Sequence, residues 1–561
     1  MKHLVLLAFC WDLVGVVRIA AADDTPVSKV HTVGPNGLRI EGQIARTDRR
    51  VRFKLYNQGA QFVHNLQSKM YEVKLLSGRR YTISMDTVKA GLDCYLVLKD
   101  ADGKTLAFDD DGGGNLNARI VFDATRPGTY RIYAAALNGT GSFILKVSES
   151  TIPKKVVNLV RQGFPAARAD SNDLTRSDTA WEIEWHITNP DNGNGKSAAP
   201  SSVLAISSAK FMFKDSTGKV RWFTVLKNLE VGEILVPYDR MDPVFLDVSD
   251  YTFHIIPAKK EYLGPNCVLP GAILDSADPR MKNKVYREVH DDGLRWLNRH
   301  GEARRGEKLQ LWSIFDGGNY RYLIEYAFRD DGTISLRLGA TAHNYFNRHK
   351  DQRDVHLHVA CWRWDPELSE EGECPVGGAA ANQVLLVRRR PRTAAPSGRF
   401  RVDVAPFNVN ETGQASEGFA DWKPEEFTML RVQSLVRKNF SKDPNFTAYD
   451  VIPLRSGSVR NYPWRYEFAN HDFWVTRSDP NHKMFRDVPL YASSGQPVDK
   501  TPMTIWHSSA SLHVPRGEDY GPDGLSSDTG AAITSWAECR LKPVNLFDGT
   551  PLYPFKAAKE K

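Results

Sequence analysis

His356-Leu357-His358 is a pattern with a direct chemical reading. On a strand, side chains at i and i+2 share a face, with Cα atoms roughly 6.6 Å apart. Two imidazoles so placed can converge on one ion with bonds of ~2.0 Å. Imidazole suits copper as well as zinc, so the pair leaves the metal open. Upstream, Ile334, Leu336 and Leu338 alternate with Thr333, Ser335 and Arg337, as on a strand, and Asp331-Gly332 marks a hairpin before them. Before that hairpin, Gly317-Gly318-Asn319-Tyr320 brings a tyrosine into a strand from a tight turn. A lone histidine, or a tyrosine in β-rich sequence, is ordinarily structural. The two-histidine face is what asks for an ion.

Asn319-Tyr320, the Asp-Gly hairpin and the H-x-H pair, in that order, resemble the catalytic domain of copper amine oxidases. Leu512-His513-Val514-Pro515-Arg516-Gly517-Glu518-Asp519, preceded by Ile505-Trp506, is similar to the family's third-histidine motif. Asp291–Trp296, Glu307-Lys308-Leu309, His471–Arg477 and Leu541–Asp548 match further landmarks, and the resemblance runs from about Ser201 to Pro554. It implies that Tyr320, flanked by Asn319, is oxidised by copper and O2 to topaquinone, and that His356, His358 and His513 hold the copper(II). It implies further that Tyr238 hydrogen-bonds the cofactor and that Asp247, in Leu246-Asp247-Val248-Ser249-Asp250, is the catalytic base. The spacing from Tyr238 is shorter than in the family, so Asp242 and Asp250 stand as alternatives. Asp365 and Glu367 match part of the family's peripheral second metal site.

The activity so implied is oxidative deamination of primary amines to aldehydes, with release of ammonia and hydrogen peroxide. The partners are a small primary amine and O2, and the family assembles as homodimers. Two positions depart from the family pattern T-x-x-N-Y-D/E: Asp316 replaces the Thr and Arg321 the acid. A cation is therefore expected beside Tyr320. The alternative it raises is a catalytically silent, copper-binding relative serving as a secreted binding or structural protein.

These residues need a large β scaffold, and the composition provides for one. The 561 residues are 41% hydrophobic and 25% charged, with 13 Trp, as in a globular protein with a substantial core. A net charge of +7 is mild for this length and gives no nucleic-acid footprint. The fold class expected is mostly β: a small N-terminal β-sandwich, then a large antiparallel β supersandwich. Residues 1–22 read as a signal peptide, with Lys2-His3, the apolar run Leu4–Phe9 and Ala20-Ala21-Ala22, so a secreted or periplasmic location is expected. No other stretch reaches the ~18 apolar residues of a membrane span. Residues 23–62 are unassigned. Residues 63–150 carry short alternating strands punctuated by Ser77-Gly78, Asp102-Gly103, Pro127-Gly128 and Asn138-Gly139. They resemble prepeptidase C-terminal modules, which implies an accessory role. Asp100, Asp102, Asp109, Asp110 and Asp111 offer either a calcium site or ordinary turn chemistry. Residues 151–200 read as a linker and a β-rich lead into the catalytic domain, 201–554. Within it, 373–399 is Gly/Ala/Arg/Pro-rich and reads as an exposed loop. The cysteines allow one disulfide at most, Cys361 with Cys374 being one option.

Overall fold

The computed structural model describes residues 30–548, except 58–59, 90, 111, 153–155, 166–177, 191–199, 216, 239–243, 298, 302, 344–354, 371–381, 392–399, 440–443, 462–463 and 521–530. The expected signal peptide, Asp111, Asp242 and Cys374 lie outside the described residues. Strands dominate; among the described residues the one α-helix is Val488–Tyr491. None of the described helices is long and apolar enough to cross a membrane.

The chain forms two compact units, Met1–Phe53 with His64–Ile152, and Lys54–Val63 with Pro153–Lys561. The first holds two sheets. One is ordered 38–44, 141–151, 79–87, 118–124, and the other runs 30–32, 60–75, 128–139, 92–99, 105–109 with 50–57 paired to 60–75. Alternation along the strands puts Tyr81, Ile83, Met85, Leu96, Leu98, Ile132, Phe143 and Leu145 in one core. Strands thus occupy part of 23–62, which the sequence left unassigned: Leu38, Ile40 and Ile44 alternate with Arg39, Glu41 and Gln43, and the strand Leu38–Ile44 pairs with Gly141–Thr151. Asp100 accepts the Lys104 N–H, and Asp109 accepts those of Gly112 and Arg119, so these two carboxylates serve turns.

The second unit is a sandwich of a nine-stranded and an eleven-stranded sheet. The nine-stranded sheet is ordered 158–164, 179–187, 204–214, 220–237, 356–370, 503–513, 473–477, 418–420, with 244–246 on the 220–237 strand. The eleven-stranded sheet is ordered 269–274, 285–297, 303–317, 320–329, 334–342, 532–544, 446–453, 429–438, 382–391, 400–406, with 254–255 on 303–317. Their inner faces share one core, which includes Trp181, Val231, Trp362, Leu309, Tyr326 and Phe328. Aromatic side chains join the layers. Trp181 meets Phe328 at 5.2 Å and Tyr326 meets Trp362 at 6.0 Å, both edge to face. Trp181 Nε1 also donates to the Arg329 carbonyl and the Tyr326 hydroxyl to the Leu204 carbonyl, each at 2.8 Å. Each such ring pair contributes about 0.5–1.5 kcal/mol beyond burial.

The β-rich lead within 151–200 holds two strands of the nine-stranded sheet, with Trp181, Ile183 and Trp185 alternating inward. One segment differs from the sequence reading. In the expected loop 373–399, residues Asn382–Pro391 are a strand between 429–438 and 400–406. Val384 and Leu386 reach the core, while Arg390, near the end of the strand, pairs with Glu426. The arginine run masked the four-residue apolar run before it, Val384 to Val387.

Candidate active site

The two sheets bring different parts of the site to the same end of the sandwich. Tyr320 opens its strand on the eleven-stranded sheet. His356 opens, and His513 closes, adjacent antiparallel strands of the nine-stranded sheet, where they are directly paired. Cross-strand partners lie ~4.5–5.5 Å apart at Cβ, and His358 shares their face two residues on. The three imidazoles are buried and converge. His356 Nε2 is 3.0 Å from His358 Nε2 and 3.4 Å from His513 Nδ1. Bonds of ~2.0 Å at tetrahedral or right angles would put ligand nitrogens ~2.8–3.3 Å apart. The residues therefore fit a three-imidazole metal centre, and imidazole suits copper.

The surroundings fix which nitrogens face the ion. His513 Nε2 donates to Asp519 Oδ2 at 2.9 Å, which leaves Nδ1 as the lone-pair donor. Asp519 is fully buried and also accepts the Arg516 N–H at 2.9 Å. Burial pushes its carboxyl up, but the His513 and Arg516 hydrogen bonds prevail and hold it below the usual range. Burial lowers the pKa of His358 well below normal, and proximity to His356 and His513 adds to this, so it stands as a neutral ligand.

Tyr320 is buried, and its phenol oxygen lies 3.0 Å from His513 Nδ1, the nitrogen facing the metal position. Its ring centre is 4.5 Å from that of His358. The turn before it needs Gly318, with φ +80°, and the next hairpin needs Gly332, with φ +84°. Asn319 pins the strand end: its Nδ2 donates to the His343 carbonyl, and its own carbonyl accepts the His343 N–H. The expected cation beside Tyr320 points elsewhere. Strand alternation sends Arg321 to the opposite face, where it pairs with Asp316 directly across the hairpin. The two departures from the family pattern are thus partners in one ion pair.

Asp247 follows the short strand Val244–Leu246 and is buried. Its Oδ2 accepts the Tyr322 hydroxyl at 2.9 Å. Having donated there, the Tyr322 oxygen is free to accept from His358 Nδ1 at 3.4 Å, which leaves His358 Nε2 for an ion. Burial pushes the Asp247 carboxyl up to about 8; the Tyr322 bond opposes this, and Glu233 and Asp250 reinforce it. Glu233, fully buried, holds the loop by accepting the N–H groups of Val248 and Ser249 and the Ser249 hydroxyl. Asp250 instead pairs with Arg486. Tyr238 stacks on His356 at 4.5 Å. Beside Asp247 and Tyr320 lies a cavity of about 120 Å³, lined in part by Tyr238, Phe245, Tyr251 and Phe253.

Asp365 and Glu367 are not assembled as a ligand pair. Asp365 is bound by Arg363 at 3.0 Å and by the Thr504 hydroxyl at 2.6 Å, and Glu367 is paired with Lys227 at 2.7 Å. Cations of the protein itself satisfy both carboxylates. Cys361 is a buried free thiol. Sequence reasoning missed Tyr322, Glu233 and the role of Asp519. The available signal was alternation, which places residue 322 on the face of residue 320.

Residues 290–561 match the family model "Copper amine oxidase, enzyme domain". The chain is similar to Copper amine oxidase 1 of Aspergillus niger, 26% identical over 53% of this chain and 50% of that protein. It is also similar to a primary amine oxidase of Klebsiella aerogenes, 22% identical over 57% and 47% respectively. It thus spans about half the length of these curated relatives. Among solved structures, a copper-containing benzylamine oxidase from Hansenula polymorpha aligns over 71% of this chain and 79% of its own, with 16% identity and a TM-score of 0.46. The pre-peptidase C-terminal domain of a Bacillus anthracis collagenase aligns over 21% of this chain and 95% of its own, with 19% identity and a TM-score of 0.16. Residues 290–561, just under half of the chain, are thus similar to the copper amine oxidase enzyme domain.

Proposed function

We propose that the protein oxidatively deaminates primary amines, turning RCH2NH2, O2 and H2O into RCHO, NH3 and H2O2. The observation that carries this reading is the placement of the Tyr320 phenol oxygen 3.0 Å from a nitrogen of a buried three-histidine cluster. Copper held by His356, His358 and His513, with a topaquinone made from Tyr320, would supply the electron sink for the amine and the route to O2. Asp247 is the base for the amine's α proton: it lines the cavity beside Tyr320, and a pKa near 8 suits proton transfer near neutral pH. Tyr322 orients its carboxylate, and the Glu233-held loop keeps it in place. Tyr238 packs the His356 ring from the other side.

The cavity favours a particular class of amine. Its named walls are aromatic, and at about 120 Å³ it is well below the ~300–1,000 Å³ of pockets for drug-sized ligands. Among the described residues, Asp247 is the one charged side chain lining it. Small monoamines with an apolar or aromatic tail fit better than diamines, whose second cation would be stranded. The N-terminal sandwich is proposed to be accessory, and the protein to be an exported homodimer. Copper-loaded protein should stain for quinone and oxidise benzylamine in preference to putrescine, whereas Tyr320→Phe should bind copper yet show neither quinone nor turnover. Wild-type protein that takes up copper but never develops a quinone absorption would refute the reading.

A further inference from the structure

On the strand Val285–Leu297, Val285 and Val289 belong to the sandwich core. Alternation therefore directs Tyr286, Glu288 and His290 to the outer face of the eleven-stranded sheet. Glu288 and His290 are at i and i+2, the same spacing as His356 and His358. Cys267 arrives from the neighbouring segment, whose Val268 N–H donates to the Val289 carbonyl at 2.8 Å. We propose that Cys267, Glu288 and His290 form a second metal site, for a borderline-soft divalent ion of the zinc class, separate from the histidine cluster between the sheets.

The geometry is close to what such an ion needs. One donor atom from each residue lies within 4.8 Å of the others. Cys267 Sγ is 3.8 Å from Glu288 Oε1 and 4.0 Å from His290 Nδ1, while the second nitrogen of the ring, Nε2, meets the second carboxylate oxygen, Oε2, at 3.4 Å and keeps ring and carboxylate side by side. A tetrahedral ion with Zn–S ~2.3 Å and Zn–N/O ~2.0–2.1 Å would separate its donors by ~3.3–3.5 Å. With Oε1 and Nδ1 as the donors, the two sulfur distances are ~0.3–0.5 Å beyond this spacing. The carboxylate is already oriented: the Gly264 N–H donates to Oε1 and Trp312 Nε1 donates to Oε2 at 3.0 Å. The Trp312 ring is in turn stacked on Tyr286 at 3.8 Å. A Cβ at Gly264 would sit 3.3 Å from Glu288 Oε1, 3.6 Å from Cys267 Sγ and 3.6 Å from His290 Cε1, so the glycine leaves the donors accessible to one another.

The donor set names the ion class. A sulfur with one imidazole and one carboxylate suits zinc and is wrong for calcium or magnesium, which take oxygen. Glu288 carries its charge already, because its hydrogen bonds from His290, Gly264 and Trp312 outweigh burial. Binding replaces the Cys267 S–H, which otherwise donates to the Gly264 carbonyl at 3.3 Å, by an S–metal bond and releases that proton to solvent. Water takes the fourth position, since Cys267 and His290 are both half-buried. The ion would fasten the 264–268 segment onto the strand beside it.

The test uses the full chain with its histidine cluster first filled with copper, titrated with cobalt(II). One equivalent should bind and give a near-ultraviolet thiolate-to-cobalt charge-transfer band. Zinc should abolish the band and magnesium should leave it. His290→Ala should weaken binding at least about tenfold. Cys267→Ala should remove the band while leaving amine oxidation unchanged. As a check that needs no variant, zinc should slow alkylation of Cys267 in the wild-type protein, read by peptide mapping. Absence of the band, its survival in Cys267→Ala, its loss to magnesium, or alkylation indifferent to zinc would each overturn the proposal.

Discussion

Tyr322→Phe should turn amine oxidation into a reaction of more alkaline pH. The Tyr322 hydroxyl is the side-chain donor that lowers the pKa of Asp247 against burial and the neighbouring carboxylates. A hydrogen bond to a charged group contributes about 1.5–3 kcal/mol. At 1.36 kcal/mol per pKa unit, its loss raises the carboxyl by ~1–2 units. With Asp247 near 8, about a tenth of it is ionised at pH 7. The variant would have ~10–100-fold less base at that pH, and kcat/KM should fall in proportion. Above pH ~10 most of the loss should return.

The assay is kcat/KM for benzylamine from pH 6 to 10.5, on preparations matched for copper and quinone. Matching matters because the Tyr322 hydroxyl also meets His358 at 3.4 Å. Wild type should rise with unit slope to a break near 8, and the variant should break ~1–2 units higher. Asp247→Asn should instead lose a factor of about 100 or more at every pH. An unmoved break in Tyr322→Phe, or a loss of the same size at pH 7 and pH 10, would refute the assignment of Asp247 as the titrating base.

Asp519→Asn should lower copper affinity by ~10–100-fold, measured by competition with a chelator, because the His513 tautomer loses its fixed acceptor. His513→Ala should fail to load copper and should form no quinone. Asp247→Asn should raise thermal stability at pH 8: with a folded pKa near 8 against ~3.9 unfolded, the wild-type carboxyl contributes stability in full below pH ~4 and loses it as pH climbs through 8. Scanning calorimetry should show this advantage disappearing at pH 4. Asp316→Ala and Arg321→Ala should each cost no more than about 1 kcal/mol, the exposed pair being screened by solvent, and should leave quinone formation intact.

What could be read in the sequence was what local periodicity encodes. The mostly β fold, the 318 and 332 turns and the shared face of His356 and His358 all follow from period-2 patterning and glycine chemistry. The direct pairing of His513 with His356 depends on register between strands some 150 residues apart in sequence, which alternation alone does not set. Asp519 and Glu233 went unread for a similar reason: what they accept is settled by how the chain turns back on itself. The strand Asn382–Pro391 was hidden because its apolar half, Val384 to Val387, is short and runs straight into three consecutive arginines.

The pair Asp316–Arg321 shows the limit most clearly. Taken singly, each is a departure from a pattern, and a cation next to Tyr320 in sequence suggests interference with its chemistry. Adjacency along a strand is opposition across it, however: residue 321 must face away if residue 320 faces in. The hairpin register then places 316 opposite 321, so an acid at one position calls for a base at the other. The same alternation returns residue 322 to the inner face, where its hydroxyl joins Asp247 to His358. One strand therefore carries the proposed cofactor precursor and the residue that tunes the base on one side, and a substitution neutral to both on the other. The departures bear on the stability of a surface hairpin, and they give no reason to read the site as silent.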